Sequence, residues 1–532
     1  MRDMARLAAA ALLLLAVAAC GSTEAQPQGA GNPPGFHLQE ATIQDIHAAY
    51  KAGTLTARQL TRLYLNRIQA YDKQGPRINS IITINPKALE DADRLDAALK
   101  ASGFVGALHG IPVIVKDQAD TQGMPMTMGS VMLKDYYPAR DAFAVAKLRQ
   151  AGAVILGKST LGEWGGGDTY GSLFGITRNP YAPERTPGGS SGGTGASVSA
   201  NLAAVGIGQE GFASIRRPST YNALVGMRPT AGLVSRAGVY QGWPSMNGSL
   251  GPMARTVQDL AIVLDVMVGY DPEDPLTALG VGRAPKTYTA FLDRNGLKGA
   301  RIGVLREVLG GAANAKTEDF ARVTQVFDAA VAQLKAAGAE VIDPVVIPDL
   351  LPLIAKRARD PAEDEAMRLL FARTPNAPFT SRQDVVRSPL FAQLNPAAQQ
   401  RLREDYGTSP EEYHQYVLAR EQLVLNIAKT MADHRLDAIV HKSMESTPPL
   451  IEEKPVPRSV GGAGPPVINT TAIFIPVIAV PAGFVDGRLP VGMTFMGRPY
   501  DEATLIKLAY AFEQATRHRK PPASTPALDG EP

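Results

Sequence analysis

The sequence predicts an α/β layer architecture in one large domain. Two observations carry this. Short apolar, β-rich runs alternate along the chain with stretches of helical period, among them residues 301–305 before 323–342 and 476–484 and 491–497 before 501–517. No stretch inside residues 40–520 has the composition of a linker able to split a domain. Bulk composition agrees: 45% of the 532 residues are hydrophobic and 20% charged, a globular balance. The 51 Gly and 41 Pro point to many loops and turns rather than long bundles. A net charge of +3 is small for this length and implies no polyanionic partner, so no nucleic acid is expected.

Taken in order, Thr42 and Asp45 open a helical pattern with Ile43, Ile46 and Tyr50 on one face. Thr56 and Gln59 form a capping box before Leu60, Leu63, Tyr64 and Ile68. GIPVIVKD (110–117) contains a short strand, Ile111 to Val115, that stops at Lys116. DAFAVAKLRQAGA reads as a helix with Asp141 as N-cap and Gly152 as terminator, and residues 153–156 follow as a buried strand. Residues 157–193 are loop-like and 196–207 helical or buried. RIGVL (301–305) is a strand and 323–342 a helix then a strand. Residues 350–435 are mostly amphipathic helix with polar turns, a variable helical region. Residues 476–484 and 491–497 are strands and 501–517 a last helix. Residues 521–532 read as a disordered tail.

GAVILGKST fits the phosphate-loop pattern at Gly152, Gly157, Lys158 and Ser159. The order of elements is wrong for it. A phosphate loop needs a strand, a glycine loop with free N–H groups, then a helix. Here a helix precedes Gly152, and the variable positions are themselves a strand whose N–H groups are committed to sheet pairing. Lys158 is then an ordinary lysine after a strand.

The N-terminus carries Arg2 and Arg6, then an apolar stretch from Leu7 to Ala19, too short to span a bilayer. It ends Val17-Ala18-Ala19-Cys20, which resembles the lipobox of bacterial lipoproteins. That resemblance implies a signal segment over 1–19, cleavage before Cys20 and a lipid on it. Cys20 is the only cysteine, so no intrachain disulfide can form. Residues 20–38, polar and rich in Pro and Gly, read as a flexible tether. The expected location is the periplasmic side of a membrane, the alternative a soluble periplasmic or secreted protein. ATP is scarce there, a second reason against the phosphate loop.

The densest functional signal is TPGGSSGGTGASVSANLAAVGIGQEGFASIRRPS, residues 186–219. Glycines around the pair Ser190-Ser191 allow tight turns and close approach of a ligand. Residues 189–193 also satisfy G-x-S-x-G, the nucleophile elbow of a Ser-His-Asp hydrolase. That reading needs a strand before the serine, where Arg185-Thr186-Pro187-Gly188 stands. Its histidine would have to be His414, His434 or His441.

With GIPVIVKD, RNPYAPERTPGGSSGG, ASIRRPSTYNALVGMRPTAGLVSRAG, LGPMARTV and IPVIAVPAGFVDGRLPVGMTFMGRPYDEATLIKLAYAFEQAT, the chain resembles the amidase signature family over about residues 40–520. The resemblance implies an amidase domain (39–520) with a central mixed β-sheet flanked by helices on both faces. It implies hydrolysis of amides, anilides or peptide amides by a Ser–cis-Ser–Lys triad, without metal or cofactor. Carried over by position, the nucleophile is Ser214, the bridging serine Ser190, with its Gly189 peptide bond cis, and the base Lys116. Backbone N–H groups of Gly211, Phe212, Ala213 and Ser214 would hold the oxyanion. Gly189, Ser191, Glu210 and Arg216 are supports, Glu210 and Arg216 as a pair; Asp117 is structural, and Arg217 a surface charge.

The chemistry is coherent. A serine hydroxyl is a poor nucleophile until a base takes its proton. Lysine serves only when neutral; from roughly 10.4, poising it near 7 takes about 4–5 kcal/mol of differential interaction. Burial after Val113-Ile114-Val115 acts in that direction. One departure stands out. The family usually has a glycine pair before the nucleophile, where this chain has Phe212-Ala213. Backbone donors survive that change, but a Phe at a position requiring positive φ would be strained. A scaffold lipoprotein with weakened catalysis is the corresponding alternative, and a component of a tRNA-dependent transamidation enzyme shares the fold.

Overall fold

The computed structural model describes residues 35–403, 408–451, 468 and 470–532. The signal segment, Cys20 and most of the expected tether lie outside these residues. The strands, in chain order, are β1 (Ile81–Ile84), β2 (Pro112–Lys116), β3 (Val154–Ser159), β4 (Tyr170–Gly171), β5 (Gly175–Ile176), β6 (Val205–Glu210), β7 (Val225–Arg228), β8 (Ser249–Ala254), β9 (Arg301–Leu305), β10 (Glu340–Val345), β11 (Ala438–Lys442), β12 (Val477–Val485) and β13 (Leu489–Met496). Eleven of them form one sheet in the order β1-β3-β2-β6-β8-β7-β12-β13-β11-β9-β10, while β4 and β5 make a small separate ribbon. The large sheet is mixed: β3, β2 and β6 run parallel, as do β11, β9 and β10, and the strands between are antiparallel.

Strands β2, β3, β6, β7, β8, β11 and β13 are buried at every residue. Successive side chains point to opposite faces, so both faces are covered, and the apolar runs are continuous for that reason. The helices Glu318–Ala336 and Glu502–Thr516 pack on β12 and Val257–Met267 on β8. One α/β domain with a large mixed sheet flanked by helices is thus what the sequence led one to expect.

Both predicted N-terminal helices form, Ile43–Lys51 and Ala57–Arg67, each with its capping box at Thr42 or Thr56. Asp141 does not cap a helix. The helix is Phe143–Gln150 after Ala142, and the Asp141 carboxylate instead accepts from the Gln122 N–H at 2.7 Å and pairs with Arg149 at 3.0 Å. The stretch 157–193 is less irregular than expected, because β3 continues through Ser159. Residues 196–207 split between the helix Gly192–Ser199 and the start of β6. That helix and the strand share a close contact that only glycine allows: a Cβ on Gly206 would lie 2.5 Å from Thr194 Cγ2. Glycine strands of this kind carry no apolar alternation to read.

Two terminal expectations are corrected. Residues 35–38, assigned to the tether, are part of the fold, with Phe36 and Leu38 buried. Residues 521–532 are packed, not disordered. Arg67, fully buried, donates to Thr525 O at 2.8 Å and Pro526 O at 3.0 Å and pairs with Glu531 at 2.6 Å. A buried guanidinium needs acceptors, and the C-terminal carbonyls supply them. The region 350–435 carries the helices Leu350–Ala355, Glu363–Ala372, Arg382–Arg387, Pro396–Arg403 and Pro410–Asp433.

Candidate active site

Because β2 and β6 are parallel neighbours in register, their C-terminal ends leave the sheet together. In an α/β sheet that edge is where ligands bind. Lys116 is the last residue of β2. Its Nζ donates to Ser190 Oγ at 2.7 Å and to Gln209 O at 3.2 Å. Ser190 Oγ in turn lies 3.0 Å from Ser214 Oγ. Three residues 74 and 24 positions apart along the chain therefore form one line of hydrogen bonds. The Gly189–Ser190 peptide bond is cis.

Lys116 is 1% exposed. Burial holds its pKa well below the ordinary lysine value, and the charge of Glu210 opposes this only in part. The half-buried Ser214 stands at the open end of the line.

None of the seven histidine rings hydrogen-bonds to Ser190 or Ser214. His441, the one on a sheet strand, is spent on Lys442 O at 2.8 Å, and burial pushes its pKa down to about 4. The Ser-His-Asp alternative has no base. Ser190 also follows a glycine turn, not a strand, so no elbow forms.

The supports are placed around this line. Ser191 Oγ donates to Gln209 O at 3.2 Å and accepts from the Gln209 N–H at 3.3 Å. Glu210 ends β6 fully buried and pairs with Arg216 at 2.7 Å and Arg228 at 3.4 Å. Its Oε2 accepts from the Ile215 and Arg216 N–H groups, each at 2.9 Å. Those two donors are thereby used up. The N–H groups of Gly211, Phe212, Ala213 and Ser214, immediately before them, donate to no acceptor among the described residues. Neither Phe212 nor Ala213 has positive φ, so the substitution of the glycine pair brings no backbone strain. The Phe212 ring instead packs beside Ala213, Tyr221 and Met444, with the Arg357 guanidinium 5.4 Å from its centroid.

A family model, Amidase, matches residues 59–506. The chain belongs to the amidase signature family. It is similar to a probable amidase of Arabidopsis thaliana, 34% identical over 515 residues and covering 92% of each chain. Among solved structures it resembles the native peptide amidase of Stenotrophomonas maltophilia, 34% identical, TM-score 0.74, covering 91% of this chain and 98% of that chain. It also resembles an amidase family protein from Bacillus anthracis, 28% identical, TM-score 0.76, covering 91% of this chain and 92% of that chain. This amidase is accordingly a hydrolase of amide C–N bonds.

Two residues of this amidase are placed differently from the sequence reading. Lys158 lies within β3, not after it, and is wholly buried. It pairs with Asp117 at 2.9 Å and donates to Ala119 O at 2.9 Å, so neither it nor Gly152 faces a phosphate. Asp117 also accepts from the Thr127 N–H at 3.0 Å, and burial raises its pKa despite the lysine. Arg217 is no surface charge: it is 6% exposed and paired with Asp168. A lysine directly following the apolar run Val154-Ile155-Leu156-Gly157 was the signal for the first. Doubled arginines two and three residues after Ser214 were the signal for the second.

Proposed function

We propose that this amidase cleaves a small carboxylic amide, anilide or peptide amide through an acyl-enzyme on Ser214, with Ser190 as proton relay and Lys116 as base. The observation that carries the reading is the unbroken line from Lys116 Nζ through Ser190 Oγ to Ser214 Oγ, at 2.7 and 3.0 Å. Hydroxyl protons turn freely about the C–O bond. With Lys116 neutral, Ser190 gives its proton to Nζ and takes that of Ser214 as Ser214 Oγ attacks the carbonyl carbon. The C=O electrons move onto oxygen, where the N–H groups of residues 211–214 are free to donate. Lys116, now protonated, returns a proton through Ser190 to the departing amine nitrogen as the C–N bond breaks. Water then enters by the same relay, frees the acid and regenerates Ser214.

Intact donors and unstrained backbone at Phe212 and Ala213 favour an enzyme over a scaffold. A fluorophosphonate probe tests this: label is expected on the peptide containing Ser214. No label, or label confined to another serine, overturns the reading. A panel of chromogenic anilides and peptide amides then ranks the acyl and amine groups.

The proposal extends to location: an exported, periplasmic-side protein, held by a lipid on Cys20. The apolar segment and the Val17-Ala18-Ala19-Cys20 sequence support it. In that compartment there is no charged tRNA, which speaks against the transamidation reading. Cys20→Ser is expected to move the protein from the membrane pellet to the soluble fraction and to abolish incorporation of labelled palmitate. Unchanged palmitate incorporation contradicts the anchor.

A further inference from the structure

Ser190 is useful only if its hydroxyl is held between two partners, yet it sits in a run of glycines that has few side chains to pack. The turn is held on several sides. The Gly162 N–H donates to Ser190 O at 3.0 Å and Thr169 Oγ1 to Gly188 O at 2.8 Å. A Cβ on Gly189 would stand 2.2 Å from Gly167 O and 2.9 Å from Asp168 Cα, so the segment 165–168 lies directly on the turn. That segment is itself Gly165-Gly166-Gly167, and Gly165 and Gly167 both have φ of +76°. The first side chain able to fix it is Asp168, whose carboxylate pairs with Arg217.

Arg217 comes from the other direction. It stands three residues after Ser214, on the helix Arg216–Tyr221, and its N–H donates to Ala213 O at 2.9 Å. Its stem runs along the turn, since a Cβ on Gly188 would lie 3.1 Å from Arg217 Cγ. Its guanidinium carbon is 5.7 Å from the Tyr221 ring centroid. One ion pair therefore ties the glycine segment, the Gly188–Ser190 turn and the helix behind the nucleophile. The side chains are 8% and 33% exposed, so the arginine is inside and the carboxylate at the rim.

We propose that Arg217 and Asp168 are positioning residues that clasp the Gly188–Gly189–Ser190 turn and hold the Ser190 hydroxyl between Lys116 and Ser214. The inference rests on the reading of Ser190 as relay. A planar guanidinium suits the task better than an ammonium, because it can stack on Tyr221 and still hold the carboxylate in a fixed direction. Misplacing a relay by an ångström costs on the order of 100-fold in rate with little effect on binding.

The test uses the full-length enzyme, a chromogenic amide and active-site titration with the fluorophosphonate, so that kcat is counted per reactive Ser214. Arg217→Met and Asp168→Asn are each expected to lower kcat roughly 10- to 100-fold with KM within about twofold. The double variant should be no slower than the worse single, because the two act as one unit. Arg217→Lys should recover part of the loss. Wild-type kcat in both single variants overturns the clasp, and so does a large rise in KM at constant kcat, which would make Arg217 a substrate contact. Should Arg217→Met fail to fold, Asp168→Asn and Arg217→Lys carry the same comparison. Ser190→Ala separates the two levels: activity retained there removes the relay reading itself, whereas a dead Ser190→Ala beside fully active clasp variants removes the clasp alone.

Discussion

Ser214→Ala and Lys116→Met are each expected to lower kcat/KM by roughly 10⁴- to 10⁶-fold, and the double variant no further. On the proposed mechanism Ser214 and Lys116 act in one step, so losing either removes the whole of it. A double variant slower than both singles by another large factor would break the relay into independent parts. The same proposed mechanism ties the pH response to Lys116. The reactive form has a neutral amine, so the rate rises with pH through the folded pKa of Lys116, which burial holds well below 10.5. Stability follows the same group. Between the folded pKa and 10.5 the unfolded chain binds a proton that the folded chain has shed. Stability therefore rises with pH across that window, and the deficit caused by burying an ammonium is complete below it. Lys116→Met abolishes the deficit. Urea unfolding should place the variant most favourably relative to wild type at the low-pH end of the series, with its advantage shrinking as pH rises toward 10.5. A constant difference across that range would mean that Lys116 is not titrating in the fold.

The three proposed positions were legible through the family resemblance, which joins a lysine ending an apolar run, a serine inside a glycine turn and a serine after Phe212-Ala213; taken singly, none of them marks itself as catalytic. What could not be read was burial. Lys158 read as an ordinary lysine after a strand and Arg217 as a surface charge, yet one sits inside β3 against Asp117 and the other beside the Ser190 turn. Both act through partners 41 and 49 residues away in sequence (158 − 117, 217 − 168), which no local window joins. The strands divided in the same way. β2, β9, β12 and β13 announced themselves by β-branched runs, whereas β6 (Val-Gly-Ile-Gly-Gln-Glu) and β8 (Ser-Leu-Gly-Pro-Met-Ala) did not. Their glycines answer to packing: on β8, a Cβ on Gly251 would stand 1.9 Å from Met227 O; likewise on β7 a Cβ on Gly226 would stand 2.0 Å from Ser219 Oγ, so the helix after Ser214 can lie this close only to a bare backbone. Asp141 was misread because an acidic residue before a helical pattern suits a cap and an ion pair equally, and Arg149 decided it.

Glu210→Ala is expected to be the most damaging change outside the triad. Its carboxylate is the only anion paired with Arg216 and Arg228 among the described residues, and all three side chains are 0% exposed. Removing one partner of a buried pair costs about 3–5 kcal/mol, because the remaining charge has neither water nor counter-charge. Here two guanidiniums are left. The Ile215 and Arg216 N–H groups lose their acceptor as well, directly after Ser214 in the chain. Glu210→Gln keeps one acceptor oxygen for those donors and should be the milder of the two. Acid response supplies a second readout. Burial pushes the Glu210 carboxyl up, but the two arginines and the two N–H groups outweigh it, so its pKa in the fold lies below the ordinary 4.5. Its charge then contributes stability that is complete above 4.5 and lost as pH falls through the folded value. The gap between wild type and Glu210→Gln in urea unfolding should therefore be full at pH 7 and close only as pH falls below 4.5. Because Glu210 and its arginines hold residues 215 and 216 from behind, the surviving Glu210→Gln enzyme should also label more slowly at Ser214. An enzyme as stable and as reactive as wild type would show that this buried cluster neither supports the fold nor sets the nucleophile.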